Sequence, residues 1–298
     1  MIRTPLEHAK AELKKAWRHC RPKSYVPAKR LFHYTSAEGL QGILTERTLR
    51  LSNVSTLNDT TEIIHGGDVI QEVIDEALLS QPAGQYTALN LDAVAAKSKY
   101  LHSLVSHSYV ACFCTEDDLL SQWRGYGAGG AGFALGFNRD RLERYLQSES
   151  LLLSDPMPMV YEIERQKRAV RCFLSKARAI AANHGLLGSD CEKFNDEFHF
   201  RLFLYALGMK NRSFSEEKEW RILQVRPDQR GVNFRPARGI IIPFVELSNI
   251  PLDVFASVTL GPAVEYGFRV GPMELFLKRN QLEHVKIRTS QIPVRALC

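Results

Sequence analysis

The sequence predicts an α+β fold: a mixed, largely antiparallel sheet core interrupted by long helical insertions. Strand-like runs come singly or in small groups, at residues 31–35, 49–52, 109–114, 132–137, 219–225, 239–243, 254–260 and 284–287. Between them, residues 60–107 and 163–209 carry helical periodicity over lengths that no ordinary loop fills. A doubly wound parallel sheet needs regular β–α alternation, which this order lacks. The reading is a basic helical arm at residues 1–30 and a single domain at 31–298, with helical insertions at about 60–107 and 163–209.

The arm begins with a helix start: Thr4 as N-cap, Pro5 at the first helical position and Glu7 closing a capping box. Leu6, Ala9, Leu13, Ala16 and Trp17 recur at helical spacing, so this helix docks by one face. Pro22 and Pro27 bound a linker, residues 31–35 form a strand, and Ser36 caps a helix running to about Glu46. A second strand at 49–52 leads into the polar turn Asn53 to Asp59. The first helical insertion breaks near Pro82-Ala83-Gly84, and a strand follows at 109–114. A short helix holds Ser121 to Tyr126, a glycine-rich turn follows, and a strand covers 132–137. Two long helices in 163–209 part near residues 185–189. The last third returns to strands, with a helix around 264–278.

Composition bounds the class. With 45% hydrophobic and 24% charged residues, the chain can bury a core and extensive disorder is not expected. The longest apolar runs, such as Gly239 to Pro243, suit buried strands rather than membrane spans, and the start lacks the apolar stretch of a secretory signal. The expectation is a cytoplasmic protein with no membrane partner. Six scattered cysteines without a CxxC pair read as reduced thiols. Residues 1–30 hold nine Lys and Arg against two Glu, an excess larger than the whole chain's net +6. That concentration fits either an anionic partner such as nucleic acid or a solvated helix face.

Several motifs fall away. Gly127-Ala128-Gly129-Gly130-Ala131-Gly132 satisfies GxGxxG in letters, but it follows a helix and leads into a strand, the reverse of a dinucleotide-binding turn. His102, His107, Cys112 and Cys114 match no common zinc spacing, and no metal is expected. There is no GxSxG, GxxxxGK[ST] or HExxH. Spacing alone leaves Cys–His nucleophilic chemistry open.

What remains is a set of dispersed polar and aromatic stretches. In an extended segment Glu217, Glu219 and Arg221 share one face while Trp220 and Ile222 take the other, the pattern of a cleft wall. His33 shares a face with Leu31 and Thr35, and Tyr34 points the other way with Phe32. Each stretch has a plain structural reading by itself; the functional case rests on their joint occurrence.

Phe32-His33-Tyr34-Thr35-Ser36, Leu51-Ser52-Asn53 with Asn58, Asp59 and Glu62, Ser121-Gln122-Trp123-Arg124-Gly125-Tyr126, Glu217 to Arg221, and Ser290 to Arg295 resemble, in order, the motifs of an uncharacterised bacterial family of unknown function. Thr60 and Val294 depart from that family's usual Pro and Tyr. The family is in turn distantly similar to ADP-ribosyltransferase-like folds, with His33 matching their first-strand residue and Glu219 their late glutamate. The resemblance implies cleavage of NAD⁺ as substrate and transfer of ADP-ribose to a macromolecule, nucleic acid or protein, in a toxin or anti-phage effector with an antitoxin as a candidate partner. Glu219, His33 and Glu217 are then catalytic. Tyr34, Thr35, Asn58, Asp59, Ser121, Gln122, Trp123, Arg124 and Tyr126 bind NAD⁺, with Trp123 or Tyr126 stacking on a ring and Arg124 meeting the pyrophosphate. The alternative is a non-catalytic nucleic-acid-binding or sensor module on the same scaffold.

Overall fold

The computed structural model describes residues 4–21, 28–57, 62–80, 89–91, 102–148, 155–237, 239–263 and 269–293. Along the chain come α1 (Pro5–Cys20), β1 (Arg30–Thr35), α2 (Ala37–Glu46), β2 (Leu49–Asn53), α3 (Glu62–Leu79), α4 (His102–Val105), β3 (Ser108–Cys114) and α5 (Leu120–Gly125). Then follow β4 (Phe133–Asn138), α6 (Arg139–Ser148), β5 (Met157–Pro158), α7 (Ile163–Asn183), α8 (Gly188–Ala206) and β6 (Glu219–Val225). The chain ends its described part with β7 (Asn233–Ala237), β8 (Ile240–Leu247), β9 (Phe255–Leu260), α9 (Val270–Arg279) and β10 (Lys286–Thr289). These elements form two compact units, one from Met1–Ser24, Asn58–Ser106 and Met159–Ser215, the other from Tyr25–Leu57, His107–Pro158 and Glu216–Cys298.

The first unit is helical. α1 starts as its sequence requires: the Glu7 amide donates to Thr4 Oγ1 at 3.2 Å and the Thr4 amide to Glu7 Oε2 at 2.8 Å. Its Ala9, Leu13, Ala16, Trp17 and Cys20 stripe is buried, and Trp17 packs 5.8 Å from Tyr205 on α8. Phe173 on α7 stacks on Phe198 of α8 at 4.9 Å. α3 and α8 approach so closely at Gly66 that a Cβ there would lie 2.6 Å from the Ala206 carbonyl oxygen, so only glycine fits. Cys20 and Cys172 are joined in a disulfide across α1 and α7, which corrects the expectation of reduced thiols throughout. Spacing could not show that two helices so distant in sequence lie side by side. Cys112, Cys114 and Cys191 are free.

The second unit holds a ten-stranded sheet among the described residues, in the order β10-β9-β4-β1-β3-β2-β8-β7, with β6 paired to β3 and β5 to β6. Every pairing is antiparallel except β9 with β10. The α+β class with a mixed, mostly antiparallel sheet therefore holds. Strand alternation sorts the side chains into two clusters. Leu31, Phe113, Leu135, Phe137, Trp220 and Ile222 belong to a large core shared with α2, α6 and α9. Phe32, Tyr34, Cys114 and Ala134 belong to a smaller one closed by Trp123 of α5. Among the described residues no helix is long and apolar enough to cross a membrane.

Candidate active site

The site forms where the sheet opens. One edge of β3 is taken along its whole length by β6, from Ser108↔Val225 to Cys114↔Glu219. The other edge is shared: β2 pairs it at Val110 and Tyr109, and β1 only at Phe32↔Cys114. β2 and β1 thus meet β3 at opposite ends of this edge.

His33 donates to β3. Its Nδ1 lies 2.9 Å from the Cys112 carbonyl oxygen, and a carbonyl only accepts, so Nδ1 carries the proton and Nε2 presents a lone pair. Burial holds the imidazole below its ordinary value of 6.5, against the raising effect of that hydrogen bond. The ring is therefore neutral at neutral pH. In the window between its lowered value and 6.5 the unfolded chain binds the extra proton, so stability is full above 6.5 and declines as pH falls through it. Urea unfolding free energies taken at pH 7.5 and 5.5 should drop more for wild type than for His33→Gln. Equal drops would show the imidazole to be indifferent to the proton.

On β6, Glu219 and Arg221 share a face as alternation dictates, and Trp220 and Ile222 go to the opposite core. Arg221 grips the carboxylate bidentately, Nε donating to Oε1 at 2.5 Å and Nη2 to Oε2 at 3.1 Å. Both residues are buried, Arg221 at 2% exposure and Glu219 at 7%. Glu217 departs from the expectation of one continuous strand face. It ends a 3₁₀ turn, Arg212–Glu217, and Lys218 with φ 47° reverses the chain before β6 begins. Glu217 nevertheless reaches the same pocket, by the turn rather than by strand parity.

The fourth wall is α5. Trp123 is wholly buried, edge-on to Tyr34 with centroids 4.7 Å apart, and its Nε1 donates to Asp118 Oδ1 at 2.7 Å. The Tyr34 hydroxyl donates to the Glu116 carbonyl at 2.9 Å and accepts from the Leu119 amide at 3.0 Å, tying β1 to the segment that enters α5. Burial pushes that phenol far above its ordinary value. Asp118 also accepts from Ser290 Oγ at 2.6 Å and from the Gln291 amide at 2.7 Å, so the segment after β10 latches the base of α5. With Trp123 anchored, Gln122 and Tyr126 turn toward the opening.

His33, Tyr34, Gln122, Tyr126, Glu217 and Glu219 thus line one small, partly open pocket, with Phe32, Cys112 and Phe113 completing it. Trp123 does not fit the stacking role expected of it, because its ring is consumed by packing; Tyr126, also expected to stack, is 41% exposed and lines the pocket. Arg124 is exposed on α5 and does not line the pocket, so it is not placed to meet a phosphate there. Thr35 and Ser121 are half-buried and also lie outside the lining, and Ser121 Oγ is enclosed without a partner among the described residues. Asn58 and Asp59 lie outside the described residues, as do Thr60 and Val294. Reasoning from sequence missed Asp118 altogether, and weighed the pocket-lining Cys112 only as a metal ligand before setting it aside.

The glycine-rich turn leads from α5 into β4, as its order in the chain requires. A Cβ at Gly132 would sit 2.3 Å from the Thr35 carbonyl oxygen, so glycine is needed for the turn to pass against β1. No phosphate-binding helix follows it.

Residues 122–222 match the family described as Protein of unknown function (DUF2971). The DUF2971 match covers about a third of the chain and runs from Gln122 on α5 to Ile222 on β6. It therefore contains Gln122, Tyr126, Glu217 and Glu219, while His33 and the Ser290 latch lie outside it. No curated protein and no solved structure matches the chain.

Proposed function

We propose that this pocket binds the nicotinamide–ribose end of NAD⁺, breaks the bond between them and passes ADP-ribose to a macromolecular acceptor, nucleic acid or protein. The observation that carries the reading is that His33 and Glu219, far apart in sequence and on different strands, line one small pocket at an opening in the sheet. Departure of nicotinamide builds positive charge at the ribose anomeric carbon, as in glycoside cleavage. The Glu219 carboxylate, held in one orientation by Arg221, stabilises that charge and accepts from a ribose hydroxyl. The His33 Nε2 lone pair accepts from the neighbouring hydroxyl and fixes the ring for attack. Tyr126 stacks on the nicotinamide, and Glu217 orients the acceptor and takes its proton as the new bond forms. Nicotinamide leaves with the electrons of the broken bond, which neutralise its ring nitrogen.

The test is nicotinamide release from NAD⁺ by purified protein supplied in turn with RNA, DNA and protein acceptors. Wild type should release nicotinamide, and Glu219→Gln should be slower by about 10²–10³-fold. Free ADP-ribose formed without an acceptor would mark a hydrolase instead of a transferase. Folded wild type that neither binds nor cleaves NAD⁺, or a Glu219→Gln protein as active as wild type, would sink the proposal.

A further inference from the structure

The β7–β8 hairpin holds apolar side chains in the open. Phe234, Ile240 and Ile241 are 66%, 51% and 62% exposed, and no other stretch of the described residues gathers three large apolar side chains this way. Exposed apolar residues scattered singly are ordinary, whereas a group marks a contact surface. β7 is the outermost strand at its end of the sheet and pairs with β8 alone among the described residues. None of these side chains lines the pocket.

The ladder sorts them. Phe234 lies opposite Pro243 and Pro236 opposite Ile241, so these four share one face, the one that Val245 and Leu247 carry into the large core. Ala237 and Ile240, the pair nearest the turn, lie on the other face. The tip is therefore apolar on both sides. A nucleic-acid strand would cover one side only; the apolar layer of a lipid surface takes in both. From the Ala237–Ile240 pair back to Phe234 and Pro243 is three residues, about 10 Å of strand, which matches the depth to which peripheral elements enter a membrane.

Charge agrees with that partner. From Gln229 to Val245 the sequence has three arginines, Arg230, Arg235 and Arg238, and no acidic residue. The Arg235 guanidinium leans back from the tip, Nη2 donating to Ser52 Oγ at 3.3 Å on the neighbouring β2. The Arg230 side chain is 88% exposed, and its pairing with Asp228 is open to solvent and so weak. Cations behind an apolar tip suit phosphate headgroups lying above acyl chains. Pairing of β7 with a second copy fits less well, because Pro236 takes an N–H from the edge such a pairing would use.

We infer that the β7–β8 hairpin docks the protein on a membrane carrying anionic lipid, its tip entering the interfacial layer and Arg230 and Arg235 meeting the phosphates. The sequence pointed to no membrane partner because no apolar run is long enough to span one; a surface contact needs no span. The inference stands apart from the NAD⁺ reading.

The experiment sediments the full-length protein with vesicles of phosphatidylcholine alone or of phosphatidylcholine mixed with phosphatidylglycerol, at low and high salt. Wild type should bind the anionic vesicles at least about tenfold more tightly than the neutral ones, and high salt should weaken this. Phe234→Ser combined with Ile241→Ser should lose about tenfold or more of that binding while melting as wild type does, since both side chains are already in solvent. Phe234→Trp reads insertion directly. Brominated lipid should quench its added indole and leave the wild-type emission unchanged, because Trp17, Trp123 and Trp220 are buried. Absence of anionic-vesicle binding, full binding by the double serine variant, or no quenching of Phe234→Trp overturns the inference. Retention of single-stranded RNA that the double variant loses would give the surface to nucleic acid instead, and a wild-type dimer that the same variant abolishes would give it to a second copy; either result also overturns it.

Discussion

Replacing Arg221 by methionine is expected to cost the sheet unit about 3–5 kcal/mol, because it strands a buried carboxylate. Arg221 and Glu219 are both almost fully enclosed, and the guanidinium engages both carboxylate oxygens. Removing one partner of such a pair leaves the full desolvation of the other uncompensated. Arg221→Lys should recover only part of the loss, since an ammonium cannot reproduce the planar fork. The informative variant is the double one. Glu219→Gln with Arg221→Met removes both charges, so its loss should be well below the sum of the two single losses. Hydrogen exchange of the β6 amides, which open with this part of the sheet, reads the effect locally. Additive losses in the double variant would mean that the two side chains act independently, and the pair could not then be what orients Glu219.

This pair also shows which parts of the molecule could be read in advance. Alternation on β6 correctly put Glu219 with Arg221 and sent Trp220 and Ile222 to the other face, because a strand's parity is fixed by its backbone. The same rule failed for Glu217, two residues before the strand. The left-handed Lys218 resets the parity there, and lysine gives no hint of a positive φ as glycine would. Capping residues were equally legible: Thr4 and Ser36 cap α1 and α2 through their own hydroxyls. α6 went unread because its buried set is only Leu142, Tyr145 and Leu146 of ten residues, the other seven being polar or charged. β7 went unread because Phe234, Pro236 and Asn233 stay exposed, so the strand leaves no buried alternation.

Of the twelve residues singled out, six line the pocket (His33, Tyr34, Gln122, Tyr126, Glu217 and Glu219), and their roles left no local signal. Nothing in Ser121 to Tyr126 distinguishes a tryptophan that stacks on a ligand from one that fills a core; only the fold does. Nor could the sequence show that Ser290 and Gln291 reach back to Asp118, since that contact depends on β10 pairing in parallel with β9. The split between β1 and β2 along β3 has no local signal at all. It arises because three strands compete for two edges.

Trp123→Ala should be the most damaging substitution on α5, at about 3–5 kcal/mol for a large aromatic removed from a closed site. The ring is 0% exposed and packs with Phe32, Tyr34, Cys114 and Ala134, so the cavity it leaves has no solvent side through which to relax. Its loss also takes one of three donors from Asp118 and loosens the latch formed by Ser290 and Gln291. Trp123→Phe separates the two contributions. It keeps most of the packing, removes the N–H, and should cost about 1–3 kcal/mol. Since Gln122 and Tyr126 ride on the same short helix, both variants should lose nicotinamide affinity, and Trp123→Ala should lose the more. Thermal melts alongside ligand titrations separate these effects. A Trp123→Ala protein that melts as wild type does would mean that the ring is not the anchor of α5. A destabilised variant that still bound nicotinamide at full strength would detach the pocket from the Asp118 latch.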